Sequence, residues 1–426
     1  MVAFCAQEVL PLLYLILAPL TAAQYENYSF RKFTKEELMP LTNAYGLALD
    51  HYAAEKWTES VEYLELSLRL HRLLKDSVRF CVLHCNSSKH EEPSCAGNPE
   101  LRVYWHVMMR ASCQKKCRAH FPALQLPPPG RQILEDFSRR SPYRYLHFAY
   151  YRLNDLQRAV PCAYTFLQKN PDDQEMHRLM EEYKSQYDLS GYLTDHEEQP
   201  YEDPFLRGVK LIGSGDHSSG VEHMEKALRL YLHEYDLCQA DCEGISQLSD
   251  GDFFAILADV YVDILQCKLK CEENLMPNVG GYFVEKFVAT VYHYLQYAYY
   301  KLNEGRRAVP CAYSYFLFEP EDQVMEQNIK YYKAYSEQWG LQPEHFTPRT
   351  EALKHYNQTV TQKQMLTFAE KYSELDVEDF LGPEEAVLFA AESPDVEFEG
   401  MGDYEESMYA DWRQPKGKGD AGESDN

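Results

Sequence analysis

The chain has 426 residues, with 67 acidic against 42 basic side chains and a formal net charge of −25. That surplus excludes recognition of nucleic acid through a basic surface, and the length allows two or three structural units with a sizeable core. Tyr is abundant, at 34 residues, and lies mostly in helix-period patterns, as expected for helical repeats packed by aromatic rings.

Val9 to Leu20 is apolar but too short to span a bilayer, and Thr21-Ala22-Ala23 follows it. Residues 1–23 are therefore expected to be a secretory signal cleaved before Gln24, although Glu8 is present and no Lys or Arg precedes the apolar run. No later run reads as a membrane span. Residues 24–186 are expected to form a first helical-repeat half. Asn27-Tyr28-Ser29 is a glycosylation acceptor, and Thr34-Lys35-Glu36-Glu37 has the capping-box pattern that should open the first helix. Leu47, Ala48, Trp57, Ser60 and Leu64 fit a loose tetratricopeptide-like hairpin. A polar loop after Cys85 carries a second acceptor, Asn86-Ser87-Ser88. Pro127-Pro128-Pro129-Gly130 should break the helix that follows and form a rigid connector; a ligand for proline-recognition domains is the alternative.

Tyr143 to Pro171 then recurs as Tyr292 to Pro320, at an offset of 149 residues, and 11 of the 15 positions from Tyr150 to Tyr164 are identical. Tyr143, Leu146, Tyr150, Ala159 and Pro171, with Tyr292, Leu295, Tyr299, Ala308 and Pro320, have the spacing of a tetratricopeptide hairpin. Large residues three and four apart fill one face of helix A, the small Ala admits helix B, and the proline stops it. Asn154-Asp155 and Asn303-Glu304 mark the turns. Val61-Glu62 and Leu68-Arg69-Leu70 echo in Val221-Glu222 and Leu228-Arg229-Leu230 at an offset of 160, with Gly213-Ser214-Gly215-Asp216 at the second turn. Hence residues 187–204 read as a linker, 205–340 as a second helical-repeat half, and 341–372 as a capping helical segment with a third acceptor, Asn357-Gln358-Thr359. Asn278-Val279-Gly280-Gly281 reads as a turn. Residues 373–426 hold 17 acidic against 3 basic residues and are expected to be a disordered acidic tail: solvating, calcium-binding, or a contact for a basic partner, with Tyr404 and Tyr409 as candidate sulfation sites.

Eight cysteines form four Cys-x-x-x-Cys pairs: Cys81/Cys85, Cys113/Cys117, Cys238/Cys242 and Cys267/Cys271. The spacing puts both thiols on one helix face, so two antiparallel helices can share two disulfide rungs. A four-thiolate zinc site is the rival reading; a secretory signal favours disulfides, and connectivity stays open. Cys95, Cys162 and Cys311 are left over, the last two expected as buried thiols.

Catalytic chemistry finds no motif. There is no Cys-x-x-Cys and no His-x-Asp; Gly213-Ser214-Gly215 is not preceded by an apolar strand, and His196-Glu197-Glu198 falls in the acidic linker. The expected fold class is all-α, with no cofactor, no metal and a binding rather than enzymatic role.

The stretch Gln24-Tyr25-Glu26-Asn27-Tyr28-Ser29-Phe30-Arg31, the four cysteine pairs, and Asn278-Val279-Gly280-Gly281-Tyr282 running into Glu285-Lys286-Phe287-Val288-Ala289-Thr290 resemble the leprecan family of endoplasmic-reticulum collagen-modifying proteins. The likeness covers nearly the whole mature chain. Catalytic members, the collagen prolyl 3-hydroxylases, carry a further iron and 2-oxoglutarate domain; this chain resembles a non-catalytic member, and Ser424-Asp425-Asn426 is not a retention signal of the Lys-Asp-Glu-Leu kind. The resemblance implies a helper subunit in the endoplasmic-reticulum lumen that assembles with lysyl hydroxylase and prolyl 3-hydroxylase enzymes, a cyclophilin, and procollagen chains. A stand-alone collagen chaperone and a nuclear (synaptonemal or nucleolar) scaffold are the alternatives it leaves.

Overall fold

The first helix starts later than the capping-box pattern suggests. In a computed structural model describing residues 33–87, 99–189, 191–243, 253–279 and 282–373, Thr34 Oγ1 donates to Glu37 at 2.9 Å, yet α1 runs only from Leu41 to Ala53. Pro40 is the reason. Its ring steers Met39 away from helical backbone, and its carbonyl then accepts the N–H groups of Asn43 and Ala44. The signal, Asn27, Cys95, the Gly280-Gly281 pair and the acidic tail lie outside the described residues.

Helix α2 (Trp57–Ser87) pairs with α1 and then continues far beyond it, to meet α3 (Pro99–His120). Helix α3 ends at His120, ahead of the triple proline, because Pro122 opens a short 3-10 turn (Pro122–Gln125). Helices α4 (Arg131–Ser138), α5 (Ser141–Arg152), α6 (Leu156–Lys169) and α7 (Gln174–Gln186) follow. The order then repeats. Helix α8 (Glu202–Ser214) pairs with the long α9 (His217–Cys242), which meets α10 (Phe253–Leu269) and the short α11 (Cys271–Asn274). A two-residue-per-strand antiparallel hairpin, β1 (Asn278–Val279) and β2 (Tyr282–Phe283), replaces the plain turn read from sequence. Then come α12 (Phe287–Lys301), α13 (Gly305–Phe318), α14 (Gln323–Ala334) and α15 (Thr350–Ser373). The described residues of the second compact unit, which begins at Gln364, are helical to Ser373.

The hairpins close by one local device. Glu55, Asn154, Gly215 and Asn303, one at each A-to-B turn, all have positive φ, between 57° and 92°. Asn and Gly tolerate that conformation readily and Glu does not. Asp155 and Asp216 then cap the B helices, accepting from the N–H groups of Arg158 and Ser219. Asp173 and Asp322 cap α7 and α14 in the same way.

Two apolar cores result. One is built on Leu41, Leu64, Tyr143, Leu146 and Tyr150, the other on Tyr201, Tyr231, Phe287, Tyr292 and Tyr299. The repeat positions Ala159 and Ala308 are completely buried, which is what lets the B helices approach. Each half therefore satisfies its own hydrophobic surface, consistent with a tetratricopeptide-like repeat.

Candidate functional site

The long helices α2 and α9 carry the cysteines. Cys81 and Cys85, one turn apart near the end of α2, pair with Cys117 and Cys113 of α3, at Cα separations of 5.7 Å. Cys238 and Cys242 of α9 pair with Cys271 and Cys267, at 5.9 and 5.7 Å. The crossed order, first with last, follows from antiparallel packing. Cys267 ends up in α10 and Cys271 opens α11, with Lys270 still near-helical between them, so the rungs keep their register across the helix break. Among the described residues, the one cysteine cluster with metal-site spacing, Cys238, Cys242 and Cys271, is made of these paired sulfurs, which have no thiolate to offer zinc. Closing a loop of 25 to 36 residues stabilises each hairpin by about 3–4 kcal/mol for its first rung.

The braced hairpins also meet each other. Arg79 of α2 makes a two-pronged contact to Asp241, at 3.0 and 2.8 Å, and Lys75 lies 3.6 Å from the same carboxylate. Arg110 and Lys268 both bind Glu243. Asp241 and Glu243 flank Cys242, so the charged seam and a disulfide rung share one spot. Asn278 adds a bond from its amide to the Gln168 carbonyl, at 3.2 Å, bridging the β-hairpin to α6.

The segment between α7 and α8 is folded onto these halves rather than held in solvent. Arg140 donates to Asp195 at 3.0 Å and to the Thr165 carbonyl at 2.8 Å, and Tyr143 donates to Glu197 at 2.6 Å. Tyr201 is fully buried and donates to the Leu275 carbonyl. Burial pushes the Glu202 carboxyl up to about 8.

The repeats differ at one half-buried carboxylate. In the first half Tyr150 donates to Glu65, which burial pushes above its ordinary value. In the second, Tyr299 donates to Glu225, and Arg349 at the start of α15 adds two bonds, at 2.7 and 3.0 Å. Burial pushes Glu225 up, but the Arg349 bonds and charge outweigh it and hold the carboxyl below its usual range. Arg349 reaches over the Tyr292 ring and lies 3.8 Å from Cys311 Sγ. Burial pushes that thiol up to about 12, so it stays protonated; Cys162 is its buried counterpart in the first half, and neither belongs to the four disulfides.

Of the remaining sequence candidates, Asn86 lies exposed in the last turn of α2 and Asn357 exposed on α15. Gly213 and Ser214 close helix α8, with the Ser214 hydroxyl bonded to the Leu211 carbonyl at 2.9 Å, which is no nucleophile elbow. His147 and His355 are buried among aromatic rings, and burial pushes both down to about 4, so both are neutral. A cavity of about 460 Å³ opens between α11, α12 and α15, with Glu272, Met276, Phe318 and Tyr356 in its walls. No described helix is long and apolar enough to cross a membrane.

This arrangement, tetratricopeptide-like hairpins with cysteine-braced extensions, matches the leprecan family's TPR-like repeat region over residues 40–336. The chain belongs to the leprecan family. Leprecan relatives include endoplasmic reticulum protein SC65 of Homo sapiens, 48% identical over 430 residues and 97% of each chain. Cartilage-associated protein of Homo sapiens is 48% identical over 352 residues, covering 82% of this chain and 88% of that protein. Prolyl 3-hydroxylase 2 of Rattus norvegicus is 33% identical over 310 residues, 70% of this chain but 44% of the relative. Within this leprecan chain, sequence reasoning missed Arg349 and the Asp241/Glu243 seam. The pairs Arg79–Asp241, Arg110–Glu243 and Arg349–Glu225 each join residues more than 100 positions apart, and no local pattern announces them.

Proposed function

We infer that this chain is a non-catalytic scaffold subunit of a collagen-modifying complex in the endoplasmic-reticulum lumen, promoting lysyl and prolyl 3-hydroxylation of procollagen and, through it, cross-linking. The observation that carries this reading is the shared repeat region. The match spans 70% of this chain but 44% of a relative named as a prolyl 3-hydroxylase. A relative named for the endoplasmic reticulum and one named for cartilage support the proposed compartment and collagen context.

The mechanism is co-localisation. Stacked hairpins present extended helical faces, and the disulfide rungs and charged seam keep those faces in one geometry. Holding an enzyme and an extended client on one rigid body raises their effective concentration without any new chemistry. The reading includes a cleaved signal at residues 1–23 and glycans on Asn27, Asn86 and Asn357.

Affinity purification of the tagged chain from microsomes, with mass spectrometry of partners and glycans, tests it. Recovery of a lysyl or prolyl 3-hydroxylase with glycosylated chain supports the subunit reading and names the enzyme. Recovery of collagen with no hydroxylase shifts the assignment to a stand-alone chaperone. Unglycosylated chain on chromatin or nucleolar components refutes both.

A further inference from the structure

The second half carries an aromatic surface that packing does not require. Tyr297 and Tyr300 of α12 and Tyr331 and Tyr335 of α14, the last just past the helix end, are exposed by 41, 36, 38 and 49%. Three of the four rings, those of Tyr300, Tyr331 and Tyr335, run on from one another, while Tyr297 lies one turn earlier on α12 and meets His217 at 5.7 Å. Tyr300 meets Tyr331 at 6.2 Å and Trp339 at 5.7 Å, and Tyr331 meets Tyr335 at 4.8 Å. Among the described residues, none of these four hydroxyls has a protein hydrogen-bond partner.

The internal repeat supplies the control. At the offset of 149, Tyr332 corresponds to Tyr183 and both are buried, as a core position demands. Tyr331 and Tyr335 correspond to Glu182 and Gln186, which are exposed and polar. The same hairpin therefore folds with carboxylate and amide at these two places, and the second half has rings there for another reason.

We propose that Tyr297, Tyr300, Tyr331 and Tyr335 form a docking surface for a single extended proline-rich chain in the polyproline II conformation. This rests on the collagen-client reading above and names its contact surface. A polyproline II chain has no internal hydrogen bonds, so its carbonyls face outward as acceptors, and its rings are flat and apolar. Exposed phenols answer both needs with a ring face and a hydroxyl donor. Charge also fits an uncharged ligand. Lys301 lies over the Tyr297 ring, and Lys330 is paired with Glu326 at 2.7 Å, so the nearby cations are already engaged.

The test uses the full chain with a fluorescent Pro-Pro-Gly repeat peptide, short enough to stay single-stranded, and a Gly-Ser peptide as control. The double substitution Tyr331→Glu, Tyr335→Gln installs the first-half residues, and should weaken peptide binding about tenfold or more with an unchanged thermal transition. The reverse pair Glu182→Tyr, Gln186→Tyr should leave the affinity no weaker. Should the double variant unfold, Tyr335→Gln at the most exposed ring gives the same readout. Binding within twofold of the unsubstituted chain, or no binding by that chain at all, overturns the proposal. Hydroxylase recovery from microsomes, run on the same variants, separates the two readings: hydroxylase retained while peptide binding is insensitive to the rings sinks the docking surface and leaves the subunit reading standing.

Discussion

Replacing Arg349 by Met should expose how much the second half depends on one long-range pair. Arg349 gives two bonds to Glu225 and one to Glu351, and the side chains of Arg349 and Glu225 are only 26 and 21% exposed. Removing one partner of a fully buried pair costs about 3–5 kcal/mol, because the other charge is left desolvated. The residual exposure here lowers the expectation to about 2–3 kcal/mol at neutral pH. The pH dependence fixes the cause. Glu225 is held below its ordinary value in the fold, so its stabilisation is present above the unfolded value near 4.3 and disappears as pH falls through the folded one. In the variant, burial is opposed only by the Tyr299 bond and the Arg307 charge, so the balance moves towards the protonated acid. The gap between the two proteins should therefore be widest at neutral pH and narrow in acid. Urea unfolding followed by far-ultraviolet circular dichroism, with disulfides intact, measures it at both pH values. Adding Glu225→Gln to Arg349→Met should recover more than half of the loss. A gap below about 0.5 kcal/mol at neutral pH, or one that widens in acid, would refute the argument.

Three further outcomes follow from the same structure. His147 and His355 are held near 4 against an unfolded value of 6.5, so the unfolded chain binds more protons between those values. Stability should be full above pH 6.5 and fall by several kcal/mol towards pH 4, and His355→Phe should flatten that slope in a urea titration. Alkylation of native, unreduced protein should leave all eight paired cysteines unmodified, and Cys162 and Cys311 should react only once urea exposes them, as peptide mapping would show. Gly305→Ala would place a Cβ 2.5 Å from the Trp339 ring at the edge of the tyrosine surface. A loss of about 1–3 kcal/mol in urea unfolding is expected.

Much of the architecture was legible because its causes are local. A helical hairpin needs large residues at spacings of three and four, a residue that accepts positive φ, a cap, and a stop. Tyr143, Leu146, Asn154, Asp155, Ala159 and Pro171 supply these within 29 positions, and Tyr292 to Pro320 supply them again. The cysteine spacing likewise reports one helix face. Errors arose where local signals competed. Thr34 to Glu37 looks like a helix start, and Pro40 delays it; the triple proline looks like the helix breaker, and Pro122 acts first.

By itself, the sequence determined that the chain is helical, that it is two related halves, and which cysteines could share a hairpin, since each depends on residues a few turns apart. Only the tertiary structure decided the crossed disulfide order, the Arg79–Asp241 and Arg349–Glu225 pairs, and which tyrosines face solvent. Those depend on how helices far apart in the chain are brought together. The alternation of buried Tyr332 with exposed Tyr331 is set by which side of α14 meets α12, a choice made by packing and not by the spelling of either helix.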